Sequence, residues 1–92
     1  MSNTATRSLK IVNEKGLHAR ASAKLAEVVE EFDADAEVSK DGLEASGDSI
    51  MGLLMLGASR GTTIEVVTRG EAAEELADAI EALVADKFGE GM

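Results

Sequence analysis

The chain of 92 residues contains no cysteine, proline, tryptophan or tyrosine, and its two aromatic residues are Phe32 and Phe88. Without cysteine there is no disulfide framework, thiolate zinc site or cysteine nucleophile. The scarcity of aromatic rings argues against modules that bind nucleic acid by stacking bases. With 45% hydrophobic and 29% charged residues, the composition is nevertheless that of an ordinary globular protein.

Long apolar segments are also missing. The longest, at residues 50–58, has nine residues, whereas a membrane-spanning helix needs about 20. The first ten residues contain no apolar stretch, so no signal peptide is visible. We therefore expect a monomeric cytoplasmic protein with no membrane partner, folded as one domain over residues 1–92 with an ordered core at about 8–86.

Charge is abundant but unevenly distributed. The chain has 18 acidic and 9 basic residues, for a net charge of −9, which disfavours a nucleic-acid partner. Residues 1–26 nevertheless carry five basic residues and one acidic residue. The single histidine, His18, lies in this basic portion, which is therefore the place to look for an anion site.

Hydrophobic periodicity predicts four strands and three helices. The strands are expected at 8–13, 36–39, 43–45 and 62–68, and the helices at 19–32, 47–57 and 73–84. An Asp-Gly turn joins the second and third strands, and residues 89–92 are expected to be frayed. Each strand has one apolar face, so the β-α-β-β-α-β-α order predicts an α+β open-faced β-sandwich, in which three helices cover one face of a four-stranded antiparallel sheet.

His18 falls at the expected N-cap of the first helix, with Ala19 and Arg20 in the opening turn. The first amides of a helix have no acceptor within it, and the helix dipole makes this end partly positive. An anion beside His18 would meet the backbone N–H groups of Ala19 and Arg20 and the Arg20 guanidinium. Imidazole is nucleophilic near neutral pH. The segment therefore suits a transferable phosphoryl group, although the pattern is also typical of a polar loop residue.

Residues 16–22 read GLHARAS, and residues 47–57 read GDSIMGLLMLG. The first motif resembles the active-site segment, and the second the regulatory-serine helix, of the HPr family, the histidine-containing phosphocarriers of the bacterial phosphoenolpyruvate-dependent phosphotransferase system. The resemblance extends over about residues 8–85. One departure is Ala21, where the family often has a proline that would preset the first helical turn. We expect a looser His18 loop with its chemistry retained.

The resemblance implies a phosphoryl carrier rather than an enzyme. His18 would accept the phosphoryl group on Nδ1 from enzyme I and pass it to an enzyme IIA. Arg20 would balance the charge of the phosphate, and the backbone of Ala19 and Arg20 would bind it. The arrangement requires neither a cofactor nor a metal ion. It leaves open whether the chain serves sugar uptake or the nitrogen-regulatory branch.

Ser49 precedes an apolar run and has the signature of an N-cap. The resemblance implies phosphorylation of Ser49 by HPr kinase/phosphorylase in bacteria that have this enzyme; a purely structural cap is the alternative. Helical spacing directs Ile50, Leu53 and Leu56 towards the sheet and directs Met51, Leu54 and Met55 elsewhere. We expect a partner-docking surface beside His18, with core packing as the alternative. Its expected residues are Ala19, Arg20, Ala23, Ile50, Met51, Leu54 and Met55.

Two further classes of protein compete with this interpretation. The acidic composition and the Asp48-Ser49 pair are also typical of an acyl carrier protein, in which the serine would carry phosphopantetheine. Such carriers are helical bundles, whereas this sequence predicts four strands. A purely structural interaction domain would make His18 dispensable.

Overall fold

The computed structural model describes residues 3–91, which form one four-stranded sheet and three α-helices. The strands are β1 (Thr4–Lys10), β2 (Asp35–Lys40), β3 (Leu43–Ser46) and β4 (Thr63–Arg69). The helices are α1 (Ala19–Glu30), α2 (Ile50–Met55) and α3 (Ala73–Ala85), followed by a 3₁₀ turn at Lys87–Gly89. The strand order is β1-β4-β2-β3, and every neighbouring pair is antiparallel.

The hydrophobic core lies between the sheet and the helices. Val38, Ile64 and Val66 are fully buried on the inner face of the sheet, against helix residues such as Leu25 and Ile80. Residues that alternate with them along β2 and β4 are mostly exposed, as expected for a sheet covered on one side. The predicted open-faced β-sandwich is confirmed. Within residues 3–91, no helix combines the length and the apolar character needed to span a bilayer.

The first strand differs from the prediction. It spans Thr4–Lys10 rather than residues 8–13, because Thr4 already pairs with Arg69 and Lys10 is the last residue to pair with β4. The ordered part of the chain thus begins before the expected residue 8. Alternation failed to reveal the beginning of β1 because Arg7 occupies an inward position between the buried Ala5 and Leu9.

Arg7 is accommodated on this inward face by acidic residues of α3. Its Nη2 atom lies 3.1 Å from a carboxylate oxygen of Glu74 and 2.9 Å from one of Asp78, and its Nε lies 3.2 Å from Glu81. These contacts, led by the hydrogen bond to Asp78, raise the pKa of the Arg7 guanidinium. They connect α3 to the edge strand, and an inward charge on an edge strand also opposes pairing with other chains.

The C-terminal segment is ordered where fraying was expected. Phe88 is fully buried, and its backbone oxygen accepts a 2.7 Å hydrogen bond from Nζ of Lys24. The backbone of Phe88 is left-handed, with φ of 55°, which costs about 1–2 kcal/mol. Burial of a phenylalanine side chain gains about 1.5–3 kcal/mol and offsets this cost. The prediction was therefore wrong for Gly89 and Glu90, while Met92 lies outside the described residues.

Candidate functional site

His18 is the N-cap residue of α1, as the sequence predicted. Its backbone is extended, with φ of −79° and ψ of −175°, and its carbonyl oxygen accepts the first helical hydrogen bond, from Ser22 N–H at 2.8 Å. The amides of Ala19 and Arg20 therefore come before the first residue that can donate to a carbonyl within the helix. The His18 side chain is 28% exposed. The ring and these two amides occupy the same partly positive helix end.

The backbone before His18 is fixed by the segment that follows α2. Leu17 N–H donates a 2.9 Å hydrogen bond to the carbonyl oxygen of Ala58, and Ser22 Oγ donates one of 3.3 Å to Leu17 O. Ala21, which stands where the family often has proline, is fully buried in the first turn of the helix. These contacts hold the loop on both sides of His18. That Ala21 makes this loop looser than a proline would stays a prediction.

Glu90 is the side chain in direct contact with the imidazole. One of its carboxylate oxygens is hydrogen-bonded to His18 Nε2. The other accepts a 3.0 Å hydrogen bond from Nδ2 of Asn13, which also donates to Gly16 O at 2.8 Å. The Glu90 side chain is only 11% exposed, and Asn13 is fully buried. The C-terminal segment thus completes a side-chain cluster around His18.

The environment of Glu90 favours its ionised form. Partial burial acts to raise its pKa, but hydrogen bonds from His18 and Asn13, together with electrostatic attraction to His18 and Lys15, outweigh that effect. The pKa of Glu90 therefore lies below its ordinary value. At neutral pH a carboxylate anion faces the ring.

An open cleft of about 430 Å³ adjoins the imidazole. It is lined by Glu14, Lys15, His18, Ala19, Arg20, Gly89 and Glu90. Of the five basic residues that marked the first 26 positions, Arg7 and Lys24 are engaged elsewhere in the fold, and Lys10 is exposed at the end of β1. Lys15 and Arg20 remain at the cleft, and none of the ion pairs formed by residues 3–91 involves Arg20. Glu14 and Glu90 place two carboxylates on the same cleft, so the groups that could bind a phosphate-sized anion are Lys15, Arg20 and the N-terminal amides of the helix.

Sequence reasoning missed Asn13 and Glu90. Asn13 lies close to His18 in sequence, but its role depends on Glu90, which is 77 positions away from it. One available signal was Phe88, because a large aromatic residue so near a chain end indicates that the end packs against the core. Among residues 3–91, no group of three or more histidine, cysteine, aspartate or glutamate side chains could hold a metal ion.

Comparison with known proteins identifies the family. A family model described as "PTS HPr component phosphorylation site" matches residues 5–86. The chain belongs to the HPr family. It is 44% identical to phosphocarrier protein HPr of Cupriavidus necator, covering 92% of this chain and 96% of that protein. It is 45% identical to phosphocarrier protein NPr of Shewanella violacea, covering 91% and 92%.

Solved structures agree with this assignment. HPr-C-His from Thermoanaerobacter tengcongensis superimposes with a TM-score of 0.90 at 33% sequence identity, covering 96% of this chain and 99% of that one. The HPr structure from Bacillus anthracis gives a TM-score of 0.84 at 32% identity, covering 88% and 96%. As an HPr-family member, the protein is a phosphocarrier of the phosphotransferase system and not itself an enzyme.

The second HPr motif, at residues 47–57, contains Ser49, which is the N-cap of α2. Its Oγ accepts a 3.1 Å hydrogen bond from the backbone N–H of Gly52. The cap predicted from the sequence is therefore present. Capping stabilises the short helix, and it is compatible with either of the roles considered for Ser49.

The α2 helix exposes an apolar surface. Met51 is 69% exposed, Met55 is 75% exposed, and Ile50 is 42% exposed; these three residues are termed the α2 patch. The prediction that Ile50 faces the sheet was wrong, because the six-residue helix buries a single stripe that begins at Leu53. Leu54 is half-buried. The core-packing alternative is thus excluded for the two methionines.

The other residues of the expected docking surface lie on α1. Ala19 and Arg20 are exposed at its start, and Ala23 is half-buried one turn further on. Because α1 and α2 pack against each other, the α2 patch adjoins α1, the helix that has His18 at its N-cap.

Proposed function

We propose that this HPr protein relays a phosphoryl group from phosphorylated enzyme I to an enzyme IIA by way of His18. The observation that carries the proposal is the position of the imidazole. His18 is the N-cap residue of α1, and its ring lies at a cleft lined by Lys15 and Arg20, within the segment matched by the family model. The protein would act as a monomer in the cytoplasm, where its partner enzymes would meet it.

In the proposed reaction, the lone pair of His18 Nδ1 attacks phosphorus in line with the bond that joins it to enzyme I. A nitrogen–phosphorus bond forms on His18 as the bond to the donor breaks. Arg20 and the amides of Ala19 and Arg20 offset the negative charge of the phosphoryl group. In the second step a nucleophile of enzyme IIA attacks the same phosphorus, and the electron pair returns to Nδ1.

The test is incubation with phosphoenolpyruvate and enzyme I. Wild type should acquire one phosphate that is labile in acid and stable in base, as expected of phosphohistidine, and His18→Ala should acquire none. Arg20→Ala should remain phosphorylatable but transfer more slowly, by about tenfold or more, because a charge-assisted phosphate contact is lost. Full incorporation into His18→Ala would refute the relay.

We further propose that Ser49 is a regulatory site for an HPr kinase/phosphorylase. Its side chain lies next to the α2 patch and is partly accessible. A phosphate there adds about two negative charges at pH 7 beside a surface that must meet a partner. Purified kinase should phosphorylate wild type and leave Ser49→Ala unmodified, as measured by intact-protein mass.

The docking surface is proposed to combine the start of α1 with α2. Its members are Ala19, Arg20, Ala23, Ile50, Met51, Leu54 and Met55. Exposed methionines at helical spacing provide an adaptable apolar contact, and Arg20 adds a positive charge that complements an acidic partner. Because Leu54 is half-buried, it would contribute at the edge of this surface.

A nitrogen-regulatory role is the second candidate. The 45% identity to phosphocarrier protein NPr supports it as strongly as the 44% identity to HPr supports sugar uptake. The two roles differ in the receiving enzyme IIA. Transfer rates from the phosphorylated protein to a sugar-specific enzyme IIA and to a nitrogen-regulatory enzyme IIA, measured side by side, should differ by an order of magnitude or more and identify the branch.

A further inference from the structure

The geometry points to Glu90 as a positioning residue that directs the phosphoryl group to Nδ1 of His18. The Glu90 carboxylate engages the Nε2–H group, so that the second ring nitrogen keeps its lone pair, and Asn13 holds the carboxylate in place. This inference rests on the proposed function, because it assumes that His18 accepts a phosphoryl group. It adds that Glu90, held by Asn13, determines which ring nitrogen of His18 keeps its lone pair.

The choice follows from the hydrogen-bonding capacity of the two groups. A neutral imidazole carries one proton, on either Nδ1 or Nε2, and the unprotonated nitrogen is the nucleophile. An ionised carboxylate can only accept hydrogen bonds. The contact between Glu90 and Nε2 of His18 therefore requires the proton on Nε2. The hydrogen bonds found among residues 3–91 include none to Nδ1 of His18, which is left with its lone pair.

The carboxylate is held before any phosphoryl group arrives. Its second oxygen accepts the 3.0 Å hydrogen bond from Asn13, whose amide is fully buried and also donates to Gly16 O. The backbone two residues earlier is anchored by the buried Phe88 ring and by the hydrogen bond from Lys24 to Phe88 O. Both carboxylate oxygens are engaged, so the orientation of Glu90 is fixed by contacts that do not involve a substrate.

Glu90 also matches the charge that develops during transfer. When the Nδ1 lone pair attacks phosphorus, the bond from phosphorus to the donor breaks and its electron pair leaves with the donor. The ring, still protonated on Nε2, becomes a phosphoimidazolium whose positive charge lies beside the Glu90 carboxylate. Glu90 keeps its hydrogen bond and takes up no proton. The aspartate beside the histidine of a serine-protease triad likewise stays ionised. Onward transfer breaks the nitrogen–phosphorus bond and restores the lone pair.

The test uses phosphoramidate, a small donor that needs no partner enzyme. The ring nitrogen attacks its phosphorus, the phosphorus–nitrogen bond of the donor breaks, and ammonia leaves. The proteins are wild type, Glu90→Ala and the control Glu75→Ala, which removes an exposed carboxylate of α3 away from the cleft. Nitrogen-15 and phosphorus-31 NMR identify which ring nitrogen carries the phosphoryl group.

Wild type and Glu75→Ala should carry the phosphoryl group on Nδ1. Glu90→Ala should form both phosphohistidine isomers in comparable amounts, and its rate at Nδ1 should fall by about tenfold, the loss typical when the partner orienting a functional imidazole is removed. Before phosphorylation, the nitrogen-15 shifts of neutral His18 should report the Nε2–H tautomer in wild type and a mixture in Glu90→Ala. A purely structural role of Glu90 would change neither the isomer nor the tautomer.

An unchanged rate with Nδ1 as the single product in Glu90→Ala would overturn the inference. This result is distinct from failure of the relay. If wild type reacts with phosphoramidate at Nδ1 but accepts nothing from phosphorylated enzyme I, the relay is refuted and the positioning role stands. If enzyme I phosphorylates wild type and Glu90→Ala equally and at the same nitrogen, the relay stands and the positioning role is refuted.

Discussion

Gly16 packs against the backbone of Ala58 with no space for a side chain, because a Cβ atom on Gly16 would lie 2.4 Å from the Ala58 carbonyl oxygen. The same oxygen accepts the hydrogen bond from Leu17 N–H. The Ala58 carbonyl group, which follows α2, therefore fixes the backbone position of Gly16 and Leu17, just before His18. The absence of a side chain at position 16 is a structural requirement of the site.

Gly16→Ala should destabilise the protein by more than about 2 kcal/mol. The variant combines the cost of a left-handed backbone, since φ of Gly16 is +65°, with the overlap at Ala58. Gly57→Ala is the matched control: its φ is +63°, and no atom lies within 4 Å of the added Cβ. It should lose only about 1 kcal/mol. Urea denaturation measures both values, and equal losses would contradict the packing argument.

Ser49→Ala should cost about 1 kcal/mol of stability, since the hydrogen bond from Gly52 N–H to the cap is lost. Ser49→Asp should retain most of this stability, because aspartate is also a good N-cap. If charge at this position acts on docking, Ser49→Asp should slow transfer from enzyme I while leaving the urea midpoint close to that of wild type. A rate equal to that of Ser49→Ala would argue against regulation by charge.

The double variant Met51→Glu, Met55→Glu should raise the KM for enzyme I by about tenfold or more. Both residues lie on one face of α2, and two charges in an apolar interface carry a desolvation cost. Their exposure keeps the effect on folding stability within about 0.5 kcal/mol. Leu43→Glu, at a residue 55% exposed on β3, is the control and should leave KM unchanged. Normal kinetics in the double variant would exclude the α2 patch from docking.

Phe88→Ala should lower the free energy of unfolding by about 3–4 kcal/mol, as expected for deleting a fully buried ring. Phe32→Ala is the natural comparison, because Phe32 is only partly buried, and its loss should be clearly smaller. The Phe88 variant should also release Glu90 from the ring. The amides of Gly89 and Glu90 donate hydrogen bonds to Asp86 O and Lys87 O. Their hydrogen exchange should become faster in Phe88→Ala but not in Phe32→Ala.

The contribution of Glu90 to stability should depend on pH. Because its pKa is lowered in the folded protein from the ordinary value of 4.5, the stabilisation is present above that value and is lost as the pH falls through the lowered pKa. Glu90→Gln should therefore be less stable than wild type near neutral pH, by about 1–2 kcal/mol. The difference should shrink in acid. Urea denaturation at pH values below 4.5 checks the sign, and a difference that grows there would contradict it.

The sequence predicted the elements of this fold wherever a local pattern determined them. Alternation along β4, helical spacing in α3 and the Asp41-Gly42 turn each report a local preference, and the N-cap position of His18 follows from the start of α1. The errors occurred where distant contacts decide. Arg7 can interrupt the apolar pattern of β1 because it forms ion pairs with acidic residues of α3, which are more than sixty positions away.

The site was predictable only in its N-terminal half. His18, Ala19 and Arg20 are neighbours in sequence, so spacing alone brings them together. Glu90 lies 72 positions from His18 and comes after the segment matched by the family model, which ends at residue 86. No short-range periodicity relates the two. Tertiary contacts, namely the burial of Phe88 and the hydrogen bond from Asn13 to Glu90, bring the carboxylate to the ring.

The anchored phenylalanine has a practical consequence for handling the protein. Anything fused after Gly91 would emerge beside the imidazole, because Glu90 is in contact with His18. The opposite terminus enters β1 at Thr4, and the seven residues of that strand span roughly 20 Å before the chain turns towards the histidine. Affinity handles, fluorophores and surface-coupling linkers therefore belong at the amino end, where they leave the cleft unobstructed.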